Sequence, residues 1–170
     1  PKPYPDAPRL YPADPRVSVV RFDGQDGHPV AAAIHFAAHP TIMMYSTRLL
    51  TAEYPGEALR RFSDSTGVKS ALFLQGACGD VSALHHRRED FAGIEEMGRD
   101  VAMAAEKAWN ASAPQNEPAL AVTRRVLDMP SRIPDGDPLR FEIAAVRLSP
   151  DLLLVFWPGE PYVELSLQLQ

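Results

Sequence analysis

Hydrophobic and polar positions alternate along several short stretches of the chain, a pattern typical of β-strands. The first stretch covers 17–22, and the glycine-rich turn at 23–27 predicts that 29–38 returns beside it as a hairpin. Four later stretches have the same character, the last two forming a hairpin: 68–75, 119–129, 141–148 and 152–157. The pattern therefore predicts a sheet of at least five strands.

Two other stretches have the three-to-four-residue spacing of amphipathic helices. A helix is predicted over 55–65, where proline suits the first turn and Gly67 closes the last. A second is predicted from a cap at Asp90 to about Trp109. The expected fold class is therefore α/β (or α+β), with a mixed sheet and helices packed on it.

Two histidines lie four residues apart in the segment 31–41, Ala-Ala-Ala-Ile-His-Phe-Ala-Ala-His-Pro-Thr. The secondary structure of this segment determines whether both can bind the same metal ion. Its alanines favour helix, on which His35 and His39 would share a face and could bind one metal ion. The hairpin context, the lack of a helix cap and Pro40 favour a strand instead. On a strand the two residues lie about 13 Å apart, at roughly 3.3 Å per residue. We therefore predict a strand, on which at most one of the two histidines can bind a given metal ion.

Composition excludes several classes of function. The chain has 170 residues, enough for a domain with a core, and a net charge of −5 without a basic stripe, so nucleic acid is not an expected partner. No apolar run reaches the length of a transmembrane segment. The single cysteine, Cys78, excludes an internal disulfide. Six prolines among the first fifteen residues predict an extended arm over 1–16.

Three polar positions directly follow predicted strands, where ligand sites of α/β sheets commonly gather. They are His39, the loop Gly79-Asp-Val-Ser82 and Glu160. Each also has an ordinary structural interpretation: a hydrogen-bonded histidine, a turn in which Asp80 shapes the loop, and a Pro-Gly-Glu turn. Taken alone, none of the three decides a function.

The remaining candidates are weaker. The adjacent His85 and His86 precede two arginines and are interpreted as solvated or substrate-facing, and His28 as exposed in the hairpin turn. Cys78 could be a nucleophile if His85 or His86 acted as its base, but a buried inert thiol is the commoner case.

Four stretches, in this order, resemble the neutral/alkaline (non-lysosomal) ceramidase family. They are His35-Phe-Ala-Ala-His-Pro-Thr-Ile-Met43, Arg48-Leu-Leu-Thr-Ala-Glu-Tyr-Pro-Gly56, Leu74-Gln-Gly-Ala-Cys-Gly-Asp-Val-Ser82 and Val155-Phe-Trp-Pro-Gly-Glu160. The resemblance implies a zinc-dependent amide hydrolase that cleaves the N-acyl bond of ceramide to sphingosine and a fatty acid.

The resemblance also implies roles for individual residues. His39 and Glu160 would be zinc ligands, and Ser82 would be either a nucleophile or a hydrogen-bonding partner of the substrate, with Gly79 and Asp80 in the substrate-binding loop. His35 stands where the family often has asparagine. The chain departs from the family after Ser82, where Ala83 and Leu84 replace the usual Pro-Asn.

Further expectations follow from the same resemblance. Residues 17–170 would be part of a single catalytic domain, truncated at both ends, with the other zinc ligands outside this chain, so that the chain alone would bind zinc weakly or not at all. The substrate would be a ceramide-like lipid met at a membrane surface, in an extracellular or periplasmic protein. Two alternatives stay open: an inactive binding or scaffold domain of the same fold, and a hydrolase of another amide or ester.

Overall fold

The computed structural model describes residues 12–43, 47–83, 88, 90–115 and 118–169. The described residues fall into two compact units. Unit 1 comprises 12–112 together with 162–169, and unit 2 comprises 113–161. Each unit has its own three-stranded sheet.

The sheet of unit 1 has the order β1-β2-β3. Strands β1 (Ser18–Asp23) and β2 (Pro29–Phe36) form the predicted antiparallel hairpin, whose turn contains Gly27 at φ 77°. Strand β3 (Ser70–Gln75) lies parallel to β2. Parallel neighbours need a crossover connection, and helix α1 (Glu53–Thr66) supplies it. The segment with the two histidines is thus a strand up to Phe36, which confirms the prediction.

Local sequence signals set the ends of the helices. Helix α1 ends at Gly67, which has the left-handed φ of 74° that glycine adopts without strain. Helix α2 (Phe91–Ala111) is preceded by its N-cap residue Asp90, whose carboxylate accepts a hydrogen bond from the Gly93 N–H at 2.6 Å. A third helix, α3 (Val163–Gln168), belongs to unit 1 and was not predicted. Its Leu-Ser-Leu-Gln alternation suggests a strand rather than a helix.

The core of unit 1 lies between its sheet and helices α1 and α2. Phe62 of α1 is fully buried and meets Trp109 of α2 edge to face, with ring centroids 5.4 Å apart. Both rings pack with Ala32 and Ile34 of β2. A second cluster surrounds Tyr54 at the start of α1. It includes residues of both helices and of the segments that follow β2 and β3: Ala38, Ile42, Ala58, Ala83, Ile94, Met97 and Val101.

Unit 2 is an antiparallel sheet of consecutive strands. Its strands are β4 (Ala121–Met129), β5 (Leu139–Ser149) and β6 (Leu152–Phe156), in the order β4-β5-β6. Ser149 is the only buried residue among the described residues of this unit.

The prediction of one sheet with at least five strands is wrong. The described residues contain two sheets of three strands each. The alternating pattern located the strands but says nothing about which strands pair, and the three strands of unit 2 pair only with one another. In the part of the chain that the structure describes, no helix is long and apolar enough to cross a membrane.

Candidate functional site

The structure brings His39 and Ser82 together at one end of the sheet of unit 1. Because β2 and β3 are parallel, both strands end at the same edge, and the segments that follow them run side by side. The N–H of His39 donates to the carbonyl oxygen of Val81 at 2.8 Å, and His39 and Ser82 form an isolated parallel β-bridge. His39 is partly buried and Ser82 is exposed.

Close approach of the two segments depends on a glycine. The N–H of Gly76 donates to the carbonyl oxygen of Phe36 at 2.9 Å. A Cβ atom at position 76 would lie 2.8 Å from both the Ala37 Cβ and the His35 Nε2. A side chain there would push the two segments apart, so the first glycine of the loop is needed to hold His39 and Ser82 in register.

The loop between β3 and Ser82 also anchors helix α3. Asp80 accepts a hydrogen bond from the Val163 N–H at 2.9 Å through its Oδ1, and Val163 is fully buried. One carboxylate oxygen of Asp80 thus satisfies an N–H group at the start of α3. The substrate-binding roles of Gly79 and Asp80 stay predictions.

The imidazole of His39 lies against the thiol of Cys78. The distance from His39 Nδ1 to Cys78 Sγ is 3.7 Å, and Cys78 is 4% exposed. His85 and His86, the bases considered for this cysteine from the sequence, lie outside the described residues. Sequence reasoning missed the contact with His39 because it depends on the parallel pairing of β2 and β3.

Three side chains hold the segment 38–43, which carries His39. The hydroxyl of Tyr54 donates to the Ala38 carbonyl oxygen at 2.6 Å, and the Gln75 Nε2 donates to the same oxygen at 3.0 Å. At the other end, Glu53 Oε1 accepts the N–H of Met43 at 2.6 Å. We call residues 38–43 the histidine segment. Sequence reasoning assigned no role to Glu53, Tyr54 or Gln75, although Glu53 and Tyr54 lie in a stretch that carried the resemblance.

The environment of Tyr54 keeps its hydroxyl protonated. Burial raises the pKa of Tyr54, and electrostatic interaction with Cys78 and with Glu53 raises it further. The phenol therefore remains a hydrogen-bond donor to Ala38 at neutral pH. Its ring is fully buried and meets Phe36 and Phe73 edge to face.

His35 has surroundings different from those of His39. It sits within β2, paired with Ser18 of β1 and Leu74 of β3, and its Nε2 faces Gly76. Burial lowers the pKa of His35; the nearby Asp14 opposes this effect and Arg16 adds to it. Asp14 is itself buried and forms an ion pair with Arg16 at 2.8 Å.

The described residues offer at most part of a zinc site. They contain no group of three or more His, Cys, Asp and Glu side chains that could hold a metal ion, whereas zinc sites use three or four protein ligands. His39 suits the role of one ligand by its chemistry, since a neutral imidazole nitrogen is a usual ligand of zinc. Glu160 lies in unit 2, exposed, in a turn after β6 where Gly159 has φ 78°. Its pairing with His39 stays a prediction.

The fold of the chain is similar to that of two solved ceramidases. One, described as a ceramidase complexed with C2, has a TM-score of 0.60 and 21% identity over 79% of this chain and 24% of its own. The other, neutral ceramidase from Pseudomonas aeruginosa, has the same TM-score and identity over 76% of this chain and 23% of its own. No known family model and no curated protein matches the chain. The chain therefore has a ceramidase-like fold and spans about a quarter of the length of these two structures.

Proposed function

We propose that this chain is part of a zinc-dependent amide hydrolase that cleaves the N-acyl bond of ceramide-like lipids. The observation that carries the proposal is the β-bridge between His39 and Ser82, two positions far apart in sequence that the resemblance assigns to one active site. The ceramidase-like fold supports it. An extracellular or periplasmic location and a membrane-surface substrate belong to the same proposal.

In this proposal His39 and Glu160 would hold the zinc together with ligands outside this chain. Bound zinc supplies Lewis acidity that polarises the amide carbonyl and activates water at neutral pH. Tyr54 and Gln75, which both bond the carbonyl oxygen of Ala38, orient the backbone from which the His39 side chain projects. A fixed ligand needs no reorganisation when the metal binds.

Ser82 has two possible roles, which differ in bond making. As a nucleophile, its Oγ attacks the carbonyl carbon and gives up its proton, the amine leaves with a proton, and water then cleaves the acyl-serine ester. As a positioning group, Ser82 only hydrogen-bonds a hydroxyl of the substrate. Its exposure and its place beside His39 suit both roles.

The test uses the full-length protein. We expect stoichiometric zinc by metal analysis, and faster hydrolysis of N-acyl-sphingosine than of short amides or esters. His39→Ala should lower kcat/KM by more than about 100-fold, because loss of groups around a metal ligand alone costs about 10–100-fold. His28→Ala, in the exposed hairpin turn, is the matched control and should be neutral. Absence of zinc in the wild-type protein would favour a scaffold domain, and preference for short substrates a different hydrolase.

Ser82→Ala separates the two serine roles. If Ser82 positions the substrate, the variant keeps its zinc and loses part of the rate. If Ser82 is the nucleophile, the variant is inactive, and mass spectrometry of the quenched wild-type reaction detects a protein heavier by one acyl group.

A further inference from the structure

Glu53 combines three features that seldom occur together in one residue. It is the first residue of helix α1 and has a left-handed φ of 54°. This conformation is destabilising for any residue with a Cβ atom and is normally adopted by glycine. It is 8% exposed, although glutamate is almost never buried without a partner. Its Oε2 has no hydrogen-bond partner among the described residues.

The other oxygen of Glu53 has a specific contact. Oε1 accepts the N–H of Met43 at 2.6 Å, ten positions away and at the last residue of the histidine segment. The Glu53 backbone is held in turn, because its N–H donates to the Thr51 Oγ1 at 3.0 Å. Backbone strain persists where surrounding contacts determine the geometry, and such residues cluster at functional sites.

The contact completes a two-ended attachment of the histidine segment. Tyr54 and Gln75 hold its first residue through the Ala38 carbonyl oxygen, and Glu53 holds its last residue. Between them the His39 N–H bonds Val81, and the His39 carbonyl accepts the Thr41 N–H at 2.9 Å. Without Glu53 the end of the segment loses its hydrogen bond and is held only by the packing of Ile42 and Met43 against the Tyr54 cluster.

We infer that Glu53 is a positioning residue for His39, acting as the hydrogen-bond acceptor that fixes the far end of the histidine segment. The acceptor oxygen, rather than the negative charge, is the feature required. A role as a metal ligand lacks support, since no cluster of three candidate ligands exists among the described residues. Only the consequence for zinc rests on the proposed function.

The test compares Glu53→Gln with Glu53→Ala in the full-length protein. The glutamine carbonyl can still accept the Met43 N–H, whereas alanine cannot. Amide hydrogen exchange at His39, Thr41 and Met43 is the main readout, referred to the amides of β1 and α2. In Glu53→Ala we expect protection at Met43 to fall by about 10-fold to 100-fold, the usual effect of leaving a buried N–H group without its acceptor, with smaller losses at the other two amides. Glu53→Gln should keep most of this protection.

Glu57 provides the matched control. It lies one turn further along α1, and its carboxylate pairs with Arg60 and Arg61 on the helix surface. Glu57→Gln and Glu57→Ala should leave the exchange of the histidine segment unchanged. If Glu53→Ala does not fold, Glu53→Gly replaces it, since glycine suits the left-handed φ and also lacks the carboxylate.

Three results would overturn the inference. The first is an equal loss of protection in Glu53→Gln and Glu53→Ala, since that would make the negative charge essential. The second is a loss in Glu53→Ala that spreads evenly over β1 and α2, since that would indicate general destabilisation. The third is no loss of protection at all in Glu53→Ala.

Zinc affinity is the second readout. Glu53→Ala should weaken it about 10-fold to 100-fold, and Glu53→Gln should stay close to wild type. A wild-type protein without zinc refutes the proposed function but leaves the exchange test intact.

Discussion

Units 1 and 2 each contain a three-stranded sheet, but they bury their side chains to very different extents. In unit 1, β2 has three consecutive buried residues, Ala32, Ala33 and Ile34. In unit 2, Ser149 is the only buried residue among the described ones, and apolar side chains such as Val122 and Leu153 are about half exposed or more. Strand content alone therefore does not indicate where a core will be.

The difference follows from what the connections between the strands contain. In unit 1 the link from β2 to β3 is helix α1, which packs with α2 beside the sheet, so Phe62 and Trp109 have apolar neighbours. In unit 2, 130–138 and 150–151 link the strands without any helix. A sheet becomes stable when one of its faces is covered, and the described residues of unit 2 supply no covering layer of their own.

The largest expected contrast comes from the same substitution made in each unit. Phe62→Ala removes a fully buried ring and should lower the free energy of unfolding by about 3–5 kcal/mol. Phe156→Ala, on β6, removes a ring that is 44% exposed and should cost about 1 kcal/mol. Chemical denaturation can be followed in each unit by its own tryptophan, Trp109 in unit 1 and Trp157 in unit 2.

Variants with one tryptophan replaced by phenylalanine serve as the background for these measurements. Equal losses for Phe62→Ala and Phe156→Ala would contradict the contrast, since they would require the ring on β6 to be as important for stability as the core ring.

A smaller effect is expected from two glycines with nearly the same left-handed backbone conformation. Gly67 closes α1 at φ 74°, and Gly159 follows β6 at φ 78°; at neither would a Cβ atom meet another atom within 4 Å. Alanine at either position adds strain of about 1–2 kcal/mol without a clash. We expect Gly67→Ala to shift the Trp109 transition by about that amount, and Gly159→Ala to shift only the Trp157 transition.

This pair tests whether the two units unfold separately. If each substitution shifts both tryptophan transitions equally, the units unfold as one cooperative system, and the comparison between them would have to be restated for the chain as a whole.

Local features of the fold were predictable because local chemistry determines them. The glycine-rich turn at 23–27 indicated the first hairpin, Gly67 the end of α1, and Asp90 the start of α2. Sheet membership was not predictable, because it depends on pairing between distant strands. Helix α3 was missed because its alternation suggests a strand, whereas its position is set by the Asp80 contact with Val163.

The candidate site was predictable in the same uneven way. His39 and Ser82 could be selected because each follows a strand, and the structure places them side by side. The side chains that hold the histidine segment could not be selected, since Glu53, Tyr54 and Gln75 reach it only through tertiary packing. A glycine in the sequence can indicate a left-handed φ, but a glutamate such as Glu53 gives no such indication.

The smallest predicted effect is the pH dependence of stability, which should also differ between the two units. All five histidines lie in the part of the chain that belongs to unit 1, and none lies in 113–161. Burial lowers the pKa of His35 below its ordinary value of 6.5. The unfolded chain then binds a proton at this residue more readily than the folded chain, so this contribution to stability is complete above about pH 6.5 and is lost as the pH falls toward the folded pKa. The Trp109 transition should weaken with acid over that range.

His35→Asn removes this titration and should flatten the pH dependence of the Trp109 transition between about pH 7 and 5, where unperturbed carboxylates remain charged. His28→Asn, in the exposed hairpin turn, is the control and should leave the wild-type slope in place. The measurement is denaturation at a series of pH values in the Trp157→Phe background. An unchanged slope in His35→Asn would mean that the acid sensitivity of unit 1 has another origin, and the buried Asp14, ion-paired with Arg16, would be the next group to replace.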